Sequence, residues 1–89
     1  MKYNLEIHQK CQEEITKHSK KNQVLKKALT KKIEEILENP THYKPLKPPL
    51  ARQRRVHIMK SFVLRYEIDE ENKIVKLLAF SHHDEAYKK

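Results

Sequence analysis

The most regular apolar pattern in the chain lies in residues 23–39, QVLKKALTKKIEEILEN. Leu25, Leu29, Ile33, Ile36 and Leu37 recur at helical spacing, with Val24 and Ala28 widening the stripe. Such a stripe predicts an amphipathic helix with one buried face. Asn22 stands where an N-cap belongs. Asn39-Pro40 ends the element, because a residue before proline avoids the α region. Upstream, QKCQEEITKHSK sets Cys11, Ile15 and His18 at helical spacing, and KKNQ marks the break between two helices. Residues 3–8, YNLEIH, alternate instead, with Leu5 and Ile7 on one face, and predict a short strand.

The C-terminal half changes period. Residues 40–51, PTHYKPLKPPLA, hold all four prolines and predict an extended, stiff loop. Val56 and Ile58 then alternate with Arg55 and His57. Phe62, Leu64, Tyr66 and Ile68 alternate with Val63, Arg65 and Glu67. In the last segment Ile74, Lys76 and Leu78 face one way, and Val75, Leu77 and Ala79 the other. These are three strands joined by hairpins at MKS and DEEN. The last is apolar on both faces and belongs in the middle of the sheet. The predicted order is β-α-α-β-β-β, an α+β fold with a helical hairpin on one face of a small, mostly antiparallel sheet.

Composition adjusts this picture in three places. The 89 residues make one domain, 1–89, with a modest core. There is no glycine, so tight turns fall to Asn, Asp, Ser or Pro, with Asn the best left-handed substitute. Cys11 is the single cysteine, which excludes an internal disulfide and fits a reducing cytoplasm. It reads as a small buried apolar residue. No apolar run reaches the roughly 20 residues of a membrane helix, and MKYNLEIHQK lacks the apolar core of a signal peptide. The expected location is the cytoplasm, with no membrane partner.

The formal charge of +8 is segregated. No acid occurs from Asn39 to Tyr66, a stretch carrying Lys44, Lys47, Arg52, Arg54, Arg55, Lys60 and Arg65. A second acid-free stretch, Ile15 to Ile33, carries seven lysines. Fields of this kind attract phosphates or an acidic protein. Where the last strand runs out, LAFSHHDEAY gathers His82, His83 and Tyr87. Proton-transfer chemistry, part of a metal site, or a plain surface tail each accounts for such a cluster. The metal reading is the weakest, since no H-x-x-x-H or C-x-x-C spacing accompanies it.

In order and spacing the chain resembles the RelE/ParE superfamily of toxins from toxin–antitoxin pairs. The resemblance runs through the lysine-rich helical hairpin ending in LENP, then KPL, the basic strand RRVHI, the hairpin into FVLRYEID, and the final HHDEAY. It implies a RelE-like fold and a cognate antitoxin as partner. For RelE-type members it implies cleavage of mRNA on the ribosome without a metal or other cofactor. In that family an arginine usually follows the aromatic that opens the third strand. Here Val63 follows Phe62, and Arg65, two residues on, is the substitute. An arginine usually stands four residues before the last tyrosine. Here His83 stands there, and Tyr87 matches the tyrosine. The histidine-rich pattern resembles the YafQ-like branch.

Metal-free RNA cleavage uses the ribose 2′-OH as nucleophile and needs a base, an acid and cations around the phosphate. Histidine serves either proton role near neutrality, and arginine grips two phosphate oxygens. The resemblance therefore implies His83 and His57 as proton carriers, Arg55 and Arg65 as phosphate ligands, and Tyr87 as a stacking or proton-assisting group. Arg52, Arg54, Lys44, Lys47 and Lys60 are the expected RNA-backbone contacts, and the lysine-rich helices are expected to meet ribosomal RNA or an acidic antitoxin. Two alternatives remain open at this stage: a ParE-like toxin that inhibits a protein such as DNA gyrase by binding, and a degenerate toxin that only binds its antitoxin.

Overall fold

A computed structural model describes residues 2–46 and 52–83. The elements are β1 (Asn4–Ile7), α1 (Gln9–Ser19), α2 (Gln23–Glu38), β2 (Gln53–Ile58), β3 (Phe62–Asp69) and β4 (Ile74–His82). The α+β order β-α-α-β-β-β read from the sequence is the observed one. The sheet runs β1-β4-β3-β2. β2, β3 and β4 are antiparallel neighbours, while β1 lies parallel to β4. β4 is therefore central, as its two apolar faces required.

Local chemistry fixes the helix ends. The Asn22 side chain accepts from the Leu25 amide at 3.0 Å, satisfying one of the orphan donors of α2. His8 caps α1, its Nδ1 accepting from the Lys10 amide at 3.2 Å. The His8 amide donates to the Leu77 carbonyl at 2.9 Å, so α1 starts where β1 stops pairing with β4.

The core lies between the two helices and one face of the sheet. Leu25, Leu29 and Ile36 of α2 and Cys11 of α1 pack against Val56, Ile58, Leu64, Tyr66, Val75, Leu77 and Phe80. Tyr66 is fully buried, and its hydroxyl donates to the Pro40 carbonyl at 2.7 Å, tying the sheet to the end of α2.

Three expectations are corrected. Residues 40–51 are not uniformly extended: Pro40–His42 form a 3-10 turn, and Pro45 bridges to Arg54 beside β2. Proline at the first position of such a turn loses no hydrogen bond, which is why the turn tolerates it. The left-handed positions are not taken by asparagine. Met59, Lys60 and Lys73 hold them, with φ of 56°, 63° and 57°. The flanking pairs Ile58–Phe62 and Asp69–Ile74 fix the hairpins, and the turn residues follow.

The third correction concerns the facing of β4. A register shift at Arg65/Tyr66 pairs Tyr66 with Leu77 but Arg65 with Ala79, leaving Leu78 as an extra residue. A bulge of this kind reverses the facing that simple alternation predicts. Leu77 and Phe80 thus both enter the core, while Ala79 moves to the opposite face.

Candidate active site

The face of the sheet away from the helices carries most of the residues expected to act on RNA. β2 contributes Arg55 and His57, which alternate with the core residues Val56 and Ile58. β3 contributes Arg65, directly opposite Arg55. Like charges placed directly opposite one another destabilise a sheet. Arg55 and Arg65 thus set two guanidinium-bearing positions in one row of the sheet. Gln53, two residues before Arg55 on the same strand, accepts from Arg65 Nη1 at 3.3 Å and steadies the guanidinium. Sequence reasoning passed over Gln53; its position at i−2 from Arg55 signals only the shared face, not the contact with Arg65.

The histidines lie one step further along the strands. Val63 pairs with both His57 and Ser81, so these share the helix-free face. His83 follows Ser81 by two residues, and its amide donates to the Ser61 carbonyl at 2.6 Å. The His57 and His83 rings lie 5.4 Å apart between centroids, tilted by 35°. Two residues of strand separate the arginine pair from the histidine pair, about 7 Å. That space suits a phosphodiester with cations on one side and proton carriers on the other.

The bulge makes this arrangement possible. With unbroken alternation from Val75 and Leu77, residue 83 would sit on the helix side. The extra residue at Leu78 sends His83 to the side of His57 instead. His82 points the other way. Its ring meets Phe62 at 5.5 Å, in an aromatic group where Phe62 stacks on Phe80 at 5.3 Å and His18 approaches Phe62 at 5.1 Å. His18 also lies 3.5 Å from Glu14.

The remaining expected contacts are scattered. Arg54 pairs with Tyr66 on the helix-side face, and its Nη1 donates to the Tyr43 carbonyl at 2.5 Å, pinning the proline loop. It stands apart from Arg55 and Arg65. Arg52 is exposed before β2, beside a recess at the far end of the sheet that it shares with Glu67 and Asp69. Lys44 is exposed in the loop and Lys60 at the tip of the β2–β3 hairpin, next to the histidine end. Lys47 and Tyr87 lie outside the described residues. Among the described residues, no three His, Cys, Asp or Glu side chains converge as metal ligands. Nor is any helix there long and apolar enough to cross a membrane.

Two titrating groups reflect the packing beneath this face. Burial raises the Cys11 thiol from its ordinary 9.0 to about 11, with Glu14 adding to the effect. Burial likewise raises Tyr66 from 10.0 to about 12. Both groups stay protonated near neutral pH.

Comparison with known proteins agrees with this architecture. The sequence model of the family described as the ParE toxin of type II toxin–antitoxin system, parDE, matches residues 5–87. A protein of Methanocaldococcus jannaschii named as a candidate toxin RelE4 is 48% identical over 87 residues, covering 98% of this chain and 93% of its own. An uncharacterised protein of Methanosarcina mazei is 44% identical over 85 residues, covering 96% and 99%. Among solved structures, the toxin–antitoxin complex RelBE2 of Mycobacterium tuberculosis matches with TM-score 0.77 at 20% identity, covering 93% of this chain and 100% of the other. A double-arginine mutant of the E. coli toxin RelE in the free state matches with TM-score 0.74 at 22% identity, covering 99% and 90%. These structural likenesses bear on the fold, which is the RelE fold.

Proposed function

Since the chain belongs to the ParE toxin family of type II toxin–antitoxin systems, we propose that this toxin acts as a metal-independent endoribonuclease on mRNA held by the ribosome. The observation that carries the reading is the His57–His83 pair, 5.4 Å between ring centroids, set beside the directly opposed Arg55 and Arg65. Toxins that act only by occupying a protein partner have no need of two histidines above two arginines.

In the proposed mechanism Arg55 and Arg65 bind the scissile phosphate and offset charge as it builds on the non-bridging oxygens. One histidine removes the proton from the 2′-OH, and the oxygen attacks the adjacent phosphorus. The P–O5′ bond breaks as the other histidine returns a proton to the leaving 5′-oxygen. The products are a 2′,3′-cyclic phosphate and a 5′-hydroxyl. His83 and His57 fill these two roles. Tyr87, if brought to the same face, stacks on a base or assists the proton transfer.

The partner is an antitoxin, as in the RelBE2 complex that shares this fold. An acidic antitoxin segment would meet the basic face through the same charges that attract RNA. The lysines of the helical hairpin from Lys17 to Lys32 are assigned to ribosomal RNA, and the site of action to the cytoplasm.

The test is induced expression with mRNA ends mapped by primer extension, for wild type and His83→Ala. Growth arrest with new cleavage inside translated frames, lost in the variant, is the expected result. Arrest with intact mRNA would replace the nuclease by a second reading that the family description favours, inhibition of a protein target such as DNA gyrase. Absence of arrest from folded protein would leave only antitoxin binding.

A further inference from the structure

β1 pairs with β4 only as far as Leu77. Beyond that residue the edge of β4 is flanked by α1 instead, and a cleft remains between them. Lys10 and Glu14 of α1 form one wall, and Ala79 and Ser81 of β4 the other, with Arg65 bordering it across the strand. The register makes the cleft continuous with the catalytic face. Arg55 pairs with Arg65, and Arg65 pairs with Ala79, so the three lie in one row across the sheet. The Ala79 methyl is the low point of that row. Past it, across the cleft, stands the exposed Lys10. Glu14, one helical turn on, lines the same cleft and lies 3.5 Å from His18.

Resting on the nuclease reading above, we propose that this cleft is a second phosphate subsite. Lys10 takes the phosphodiester adjacent to the one held by Arg55 and Arg65. The RNA then crosses the strands, passing over Ala79, instead of running along them. Charge explains the direction. Movement along the strands away from the histidines meets Glu67, which pairs with Lys76 and Gln53. The transverse path meets the three cations Arg55, Arg65 and Lys10, against the single carboxylate of Glu14 on the cleft wall. The small side chains of Ala79 and Ser81 leave height for a ribose at the crossing point.

The experiment measures cleavage of a defined mRNA in a purified translation mixture by wild type, Lys10→Ala and Lys2→Ala. Lys2 lies at the opposite end of the molecule, 3.9 Å from Glu38, and serves as the charge control. Lys10→Ala should raise KM about fivefold with kcat within about twofold, and lower the slope of log KM against log salt by about 1. Lys2→Ala should match wild type. A synthetic mRNA with a neutral methylphosphonate next to the cleaved linkage then locates the contact. Wild type should lose on that substrate what Lys10→Ala loses on the natural one, and the variant should lose nothing further. Unchanged KM and salt slope in Lys10→Ala, with wild type cleaving, would overturn the cleft and spare the nuclease. An equal Lys10→Ala defect on both substrates would overturn it too, since the cation would then serve the ribosome. No cleavage by wild type would overturn both.

Discussion

Tyr66 and Cys11 are built into the core as neutral groups, and alkali is the condition that tests them. Burial raises the thiol to about 11 and the phenol to about 12. A raised folded-state pKa means that the folded chain keeps its proton where the unfolded chain has already released it. The stabilisation is therefore complete below pH about 9 and is lost as pH rises through 11 and 12. Urea midpoints measured from pH 8 to pH 12 should fall across that window. Cys11→Ala should flatten the lower part of the fall. Tyr66→Phe tests the hydroxyl separately: losing the bond to the Pro40 carbonyl should cost about 1–2 kcal/mol at neutral pH in chemical unfolding. On the helix-free face, alternation made Arg55 and His57 legible as a pair. Arg54 was expected among the RNA contacts, but its guanidinium instead donates to the Tyr43 carbonyl. Gln53 was not legible as a partner of Arg65, because a cross-strand diagonal depends on a register that no single strand encodes.

Elements differ in how clearly they announce themselves. α2 could be read to within a residue because its stripe, its Asn22 cap and its Asn39-Pro40 stop all agree. Asn22→Ala should lower stability by about 1 kcal/mol, read from the thermal midpoint, because the Leu25 amide then loses its acceptor. The bulge in β4 could not be read. The segment LLAF is apolar on either face, so no alternation betrays which residue is extra. Packing decides instead: Phe80 is nearly fully buried against Leu64 and Phe62, and the slip at Leu78 brings it there. The hairpins were placed correctly, but their left-handed residues were not. Strand pairing on both sides closes the loop and imposes the strained backbone on whatever residue stands there. Met59 is exposed and sits at φ 56°. Met59→Gly should relieve a left-handed cost of about 1 kcal/mol and raise the thermal midpoint by a few degrees.

The molecule as a whole presents two charged surfaces, the arginine–histidine face and the lysine-rich helices. With a formal charge of +8, its binding to any polyanion should weaken linearly in log salt. The opposed Arg55 and Arg65 add a sharper expectation. Inorganic phosphate should raise the thermal midpoint of wild type more than that of Arg55→Gln, because an anion held between two cationic side chains of the folded sheet stabilises the folded state. An equal shift in both proteins would mean that the anion binds elsewhere.

The parallel pairing of β1 with β4 also sets a timetable. Asn4 faces Ile74 and Ile7 faces Leu77, so seventy positions of chain separate each residue from its partner. At about 5–20 residues per second of synthesis, the first strand waits roughly 4 to 14 seconds for the last. Until Ile74–His82 emerges, β3 has nothing on its inner edge and α1 nothing beneath it. His83 arrives last of all the described residues, behind the strand that completes the sheet. A nascent copy therefore has no finished sheet until its last strand has emerged. Its inner edges stay open through the same interval, when an antitoxin already present in the cell could reach them first.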